Sequence, residues 1–180
     1  LGQKAVVMGA GCIGLMTLLA LKAFGVTEVC VVDVMENRLA KARELGATQT
    51  INGKEQDTVQ ELLRLSGGQG MDLCIDTAGS EFTMNQCIEA AAKGGTLVFV
   101  GYSAKDRVSL DINSALNKEL NMKTVFRYRN LYPMAIEAVS RGLNVKGAVT
   151  NFFDFDDIQN AMDLSVSNKA EIVKSVLTIK

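Results

Sequence analysis

The run Gly9-Ala10-Gly11-Cys12-Ile13-Gly14 is a G-x-G-x-x-G loop, and its flanks narrow what this chain can fold into. It follows the apolar stretch Ala5-Val6-Val7-Met8, which reads as a buried strand, and it opens a helix-like stretch over 15–24. A second apolar run, Val29-Cys30-Val31-Val32, ends in Asp33, 19 residues after Gly14. Strand, glycine turn, helix, strand and acid, in that order, are the sequence context of a dinucleotide-binding unit. Taken alone, the glycines would read equally well as ordinary turn residues. The flanking strands and the spacing to Asp33 separate the two readings.

Each position in the unit has a physical task. Gly9 permits the tight turn out of the strand. Gly11 lets a pyrophosphate approach the backbone, and Gly14 lets the helix pack closely. The helix N-terminus around Cys12 and Ile13 offers free amides and a partial positive charge to a phosphate. Asp33 can accept two hydroxyl hydrogen bonds from the adenosine ribose and would repel a 2′-phosphate, so NAD is expected over NADP. Arg38 is a candidate cover for the adenine face, against the plainer reading of a solvated helix charge. Cys12 reads as a tolerated small residue rather than a redox centre.

Beyond the second strand the alternation continues. A helix is expected over 35–45, a strand over 48–51, a helix over 57–65 and a near-continuous apolar strand over 71–77. A helix over 82–92 follows, and Gly94-Gly95 is expected to turn the chain into a strand over 96–100. Alternating strands and helices predict an α/β doubly wound parallel sheet of the Rossmann type, with six strands. Ligands in such sheets lie beyond the strand C-termini. This brings in Thr77-Ala78-Gly79 and Val100-Gly101-Tyr102, whose mostly small residues leave room for ribose and nicotinamide.

After Gly101 the rhythm changes. A short strand is expected over 108–110, a helix over 112–120, the sixth strand over 122–126, and a helix over 131–141 with Pro133 in its first turn. The remainder should give a strand over 148–153, a helix containing Ile158, Ala161 and Met162, and a last strand over 173–179. The expected division is a dinucleotide-binding domain over 1–127 and, over 128–180, a helix and a C-terminal segment belonging to another lobe.

Composition excludes several classes. The 19 basic and 20 acidic residues of 180 give a formal charge of −1, so nothing general favours nucleic acid or an anionic membrane. Cys12, Cys30, Cys74 and Cys87 form no C-x-x-C, and three lie in or beside apolar runs; a reducing, cytoplasmic setting fits better than a disulfide framework. No histidine is present, which disfavours a zinc site in this chain. No signal peptide or 18-residue apolar run is evident. The chain begins at Leu1, and the expectation is a piece of a longer protein.

The sequence resembles the coenzyme domain of zinc-dependent medium-chain alcohol/polyol dehydrogenases, in particular the sorbitol/xylitol dehydrogenase branch. The resemblance rests on Gly9 to Leu15, Asp33 with Arg38-Leu39, residues 42–47, Gly94-Gly95-Thr96-Leu97-Val98, Asn144-Val145-Lys146, and most selectively Val125-Phe126-Arg127-Tyr128. It implies a two-lobed NAD-dependent enzyme that passes a hydride between a polyol or secondary alcohol and the nicotinamide. It also implies that Val125, Phe126 and Arg127 lie near the nicotinamide end. The zinc ligands of such enzymes come from the other lobe, so this chain alone is expected to bind coenzyme without turnover and to hold no catalytic or metal-binding residue. In the family the coenzyme lobes pair across an edge strand, so a homodimer or higher oligomer is expected, with contacts from 109–120.

Rival readings are weaker. A short-chain dehydrogenase needs Tyr-x-x-x-Lys, but four residues after Tyr102, Tyr128 and Tyr132 come Asp106, Tyr132 and Ile136. No P-loop occurs. A methyltransferase would not call for Gly14 or the Phe-Arg-Tyr run. A non-enzymatic NAD-sensing domain stays open, as do threonine, butanediol and sugar-phosphate alcohol dehydrogenases. The sensing reading predicts a self-sufficient domain; the enzyme-lobe reading predicts an apolar face left for a partner lobe.

Overall fold

The central strands carry the apolar runs that a parallel sheet covered on both faces requires. The computed structural model describes residues 2–168 and 171–179; residues 1, 169, 170 and 180, which the two expected domains include, lie outside that description. Six strands, β1 (Lys4–Met8), β2 (Glu28–Asp33), β3 (Gln49–Asn52), β4 (Met71–Asp76), β5 (Ala91–Phe99) and β6 (Asn121–Thr124), pair in parallel in the order β3-β2-β1-β4-β5-β6. Helices α1 (Cys12–Ala23), α2 (Glu36–Glu44), α3 (Thr58–Leu65) and α4 (Glu81–Ala90) make the crossovers, and α5 (Ile112–Asn117) precedes β6. The chain starts in the middle of the sheet and works outward twice, so β1 and β4 flank a topological switch point.

Alternate residues of each strand feed two cores. Val6, Met8, Cys30, Val32 and Cys74 pack with Leu62 of α3 and Ile88 of α4. Ala5, Val7, Val29 and Val31 pack with Leu15 and Leu18 of α1 and Ala42 of α2. Each such Leu or Ile, buried fully, stabilises the fold by about 1.5–3 kcal/mol. Gly25 and Gly46 close α1 and α2 at positive φ. Asp57 and Ser80 cap α3 and α4 by accepting from Gln60 N and Thr83 N.

Helix α4 runs straight into β5, so no glycine cap can close it. Lys118 does so from a distance: its Nζ donates to the carbonyls of Ile88, Glu89 and Ala91 at 3.1, 2.6 and 3.0 Å. A cation at a helix C-terminus also meets the negative end of the dipole. Lys118→Met keeps the stem and removes these bonds. It is expected to cost about 1–2 kcal/mol and to lower the melting temperature by roughly 5 °C. An unchanged melting curve would show that water replaces the lysine without loss.

Three sequence expectations are corrected. Gly94-Gly95 lies inside β5 rather than before it; the pairing jumps from Met71↔Ala91 to Leu73↔Thr96, and Gly94 takes φ +72° within the bulge. Residues 108–110 form no strand, because side chains of α4 hold that segment: Asn85 bonds Ser109 O and Asp111 N, and Glu81 accepts from Ser109 N. The strand expected over 148–153 is instead a 3-10 turn (Val145–Ala148) followed by β7 (Asn151–Asp154).

The C-terminal segment carries α6 (Tyr132–Ser140), β7, α7 (Ile158–Ser167) and β8 (Ser175–Thr178). β7 and β8 make a separate two-stranded parallel sheet. Ala148 is fully buried in the core beside α1 and ties this segment to the main sheet. Among the described residues no helix is long and apolar enough to cross a membrane.

Candidate dinucleotide-binding site

The glycine loop is held by the strands on either side of it. Gly9 N donates to Val32 O at 2.7 Å. The Thr77 hydroxyl donates to Met8 O at 2.8 Å, with a longer contact to Gly9 O at 3.1 Å. Gly9 takes φ +98°, which a side chain would strain. A Cβ on Gly14 would lie 1.8 Å from the Gly9 carbonyl oxygen and 3.0 Å from Thr77 Oγ1. Gly14 is therefore required by the turn itself, a closer constraint than helix-on-sheet packing. A Cβ on Gly11 would meet nothing within 4 Å. No described residue fills that space; its opening matters only to something that approaches from the cleft.

Gly11 is the N-cap of α1, which has no side-chain cap and no acid in its first turn. Its first amides are thus free for an anion. Asp33, 9% exposed, faces this loop. Its Oδ2 accepts from Ala10 N at 2.7 Å, and Oδ1 accepts from Val34 N and Met35 N at 2.8 and 3.0 Å. Arg38 Nη1 stands 4.0 Å from Oδ2. Three amides pin the carboxylate at the strand end. Sequence reasoning assigned Asp33 only to the ribose; the structure also makes it the clasp between the glycine loop and β2.

A cleft of about 470 Å³ opens at this edge of the sheet, lined by Gly9, Gly11, Asp33, Arg38, Thr77 and Ala78 among the expected residues. It is also lined by Val34, Met35, Gly53, Thr58, Ser80, Phe82, Thr83 and Gln86, which sequence reasoning missed. Their only sequence signal is position, directly after a strand or on the first turns of the next helix. Phe82 projects from the first turn of α4 and is largely exposed.

The other expected residues lie outside the cleft. Cys12 and Ile13 sit on the first turn of α1, Ile13 exposed. Val100, Gly101 and Tyr102 follow β5, where Tyr102 is open to solvent. Val125, Phe126 and Arg127 follow β6; Val125 N still pairs with Phe99 O, Phe126 is exposed, and the Arg127 guanidinium lies 5.0 Å from the Phe126 ring centre. Arg127 holds φ +58°, an uncommon backbone for a long side chain. The two groups occupy opposite sides of the switch point, one by β2 and the other by β5 and β6.

The residues fit a dinucleotide: an open glycine and a fixed acid line one cleft, and the uncapped first turn of α1 follows that glycine. They do not fit zinc. Among the described residues no group of three or more Cys, Asp or Glu side chains could hold a metal ion.

The thiols are set apart by burial. Cys30 and Cys74 are buried, and desolvation pushes both up to about 12; Cys87 is raised well above its ordinary value for the same reason. Cys12 is partly exposed. An aromatic disulfide reagent is expected to label one thiol rapidly in the folded chain and four after denaturation. The raised values also make stability fall with alkalinity. Above pH 9 the unfolded thiols lose protons that the folded ones keep, so the unfolded state gains. Denaturant midpoints should decline as pH rises from 9 toward 12.

The family model described as zinc-binding dehydrogenase matches residues 12–141. The chain is 44% identical, over 99% of its length and 51% of the relative's, to the uncharacterized zinc-type alcohol dehydrogenase-like protein YdjJ of Escherichia coli K12. It is 41% identical to sorbitol dehydrogenase of Mus musculus, covering 91% of this chain and 46% of that one. A solved short chain alcohol dehydrogenase of Escherichia coli CFT073, complexed with NADH, superposes with a TM-score of 0.89 at 28% identity, over 98% of this chain and 52% of that one. The chain spans about half the length of the curated relatives it matches.

Proposed function

The chain belongs to the zinc-binding dehydrogenase family, and from that premise we propose that it binds NAD as the coenzyme lobe of an alcohol or polyol dehydrogenase. The observation that carries the reading is the pairing of an open Gly11 with an Asp33 carboxylate locked to Ala10 N in one cleft. The pyrophosphate lies on the amides of α1, the adenosine ribose on Asp33, and the adenine between Arg38 and the α4 side of the cleft, where Phe82 and Gln86 stand. The nicotinamide half runs toward Val100 to Tyr102 and Val125 to Arg127. That a relative was solved with NADH bound supports coenzyme binding as such.

In the whole protein, NAD would take a hydride from a secondary alcohol or polyol. Zinc, supplied by residues outside this chain, would polarise the hydroxyl. Residues 1–127 then form the coenzyme domain, and residues 128–180 return toward the catalytic lobe. Helix α6 supports that division: none of its residues is buried, and Met134, Ile136 and Val139 are exposed. An exposed apolar helix fits a surface covered by a further lobe better than it fits a self-sufficient sensing domain. β6 is an exposed edge strand and a candidate dimer contact through its free side.

A fluorescence titration with NADH and NADPH tests the reading. The chain has no tryptophan, so nicotinamide emission is read without interference. Saturable NADH binding is expected, with NADPH at least about tenfold weaker, corresponding to roughly 1.4 kcal/mol. Binding of neither nucleotide would overturn the assignment.

A further inference from the structure

The loops that follow β4 and β5 touch each other. A side chain on Gly79 would place its Cβ 2.5 Å from the Tyr102 carbonyl oxygen, and one on Gly101 would stand 2.3 Å from Gly79 N. At this crossing lies Asp76, the last residue of β4, with no exposed surface. Its carbonyl oxygen accepts from both Val100 N and Gly101 N, each at 2.9 Å. Its Oδ2 accepts from Gly79 N at 2.9 Å. One residue therefore holds three amides drawn from both loops.

The other side-chain oxygen, Oδ1, is buried without a hydrogen-bond partner. Such an atom is costly to bury, and an apolar side chain of similar size would avoid that cost only by leaving Gly79 N without its acceptor. What the acid supplies is an acceptor for a loop amide at this crossing. Burial pushes its carboxyl above the usual range, against the opposing pull of the Thr83 hydroxyl and the Gly79 and Ala78 amides. The cause is desolvation, which penalises the charged form.

We propose that Asp76 is a positioning residue that clamps the β4 and β5 loops into the one arrangement that seats the nicotinamide half of the coenzyme. The assignment rests on the coenzyme reading above. Asp33 on β2 takes the adenosine end and Gly11 the pyrophosphate. The other half of the molecule must then cross the switch point, over the ends of β4 and β5. Asp76 touches neither half; it sets the floor under one of them.

The test compares NADH with ADP, which reads the adenosine end alone, on the full chain. Asp76→Asn keeps an oxygen for Gly79 N and is uncharged, so both affinities should stay within about twofold of the unsubstituted chain. Asp76→Leu removes the acceptor and fills the volume; NADH should weaken about tenfold while ADP changes less than twofold. If the leucine variant does not fold, Gly79→Ala pries the same loops apart from the other side and should give the same split. Equal loss of both ligands in the variants would mark Asp76 as a fold-wide residue and overturn the proposal. So would unchanged NADH binding in them, or an asparagine variant as weak as the leucine one. ADP binding without NADH binding in the unsubstituted chain overturns it as well. Binding of neither there removes the coenzyme reading itself, and this assignment with it.

Discussion

Gly14→Ala is expected to abolish measurable NADH binding and to lower the melting temperature by about 10 °C. The added Cβ would stand 1.8 Å from the Gly9 carbonyl oxygen and 2.9 Å from the Gly9 carbonyl carbon. Both are backbone atoms, so no side-chain rotation relieves the clash. Gly9 is itself held by Val32 O and crossed by the Thr77 hydroxyl. Helix α1 must therefore move away from the turn by more than an ångström. That would pull Leu15 and Leu18 out of register with Val7 and Val31 in the core they share. Overpacking of this kind typically costs about 1–3 kcal/mol, and the loss of α1 packing adds to it. At roughly 2–4 °C per kcal/mol for a chain of this size, the shift is large. The displaced helix would also take the phosphate-facing amides with it. Thermal melts and the NADH titration check both effects. A melting point within about 2 °C of the unsubstituted chain would show that the turn yields more readily than its contacts imply.

The parts of the fold legible in the sequence are those where one residue type has one physical use. Apolar runs at β1 and β2 and a near-continuous one at β4 predicted buried strands, and the two cores confirm it. Gly25 and Gly46, which close α1 and α2, likewise follow helical stretches and take the positive φ that glycine allows. Where a residue has two uses, reading the sequence went astray. Gly94-Gly95 serves a turn or a bulge equally well, and only the pairing of Met71 with Ala91 decides for the bulge. Residues 108–110 have strand-like composition, but Asn85 and Glu81, over twenty residues away, take their backbone groups.

The same distinction runs through the candidate site. The glycine loop and Asp33 announce themselves by spacing. Phe82, Thr83 and Gln86 do not, because nothing in a helix's first turns says which face will meet a cleft built by other strands. Asp76 was hidden for a related reason. At the end of an apolar strand it reads as a surface acid, and only the crossing of two loops over it buries it.

Asp33→Ala is expected to collapse the preference for NADH over NADPH from at least about tenfold to near unity. Two effects act in the same direction. Loss of two charge-assisted bonds to the ribose weakens NADH, at about 1.5–3 kcal/mol each when fully formed. Removal of the negative charge relieves the repulsion of a 2′-phosphate, so NADPH loses far less. A third effect confuses the measurement. The carboxylate also holds Ala10 N, Val34 N and Met35 N. Alanine leaves those amides to water and loosens the glycine loop for both nucleotides. Asp33→Asn separates the contributions. It keeps the shape and one carbonyl oxygen, sheds the charge, and offers an amide where a 2′-phosphate would lie. It should melt closer to the unsubstituted chain than the alanine variant, yet show a comparable fall in the NADH to NADPH ratio. If the asparagine variant keeps its full preference for NADH, charge is not what discriminates. The role of Asp33 would then reduce to clasping the loop against β2.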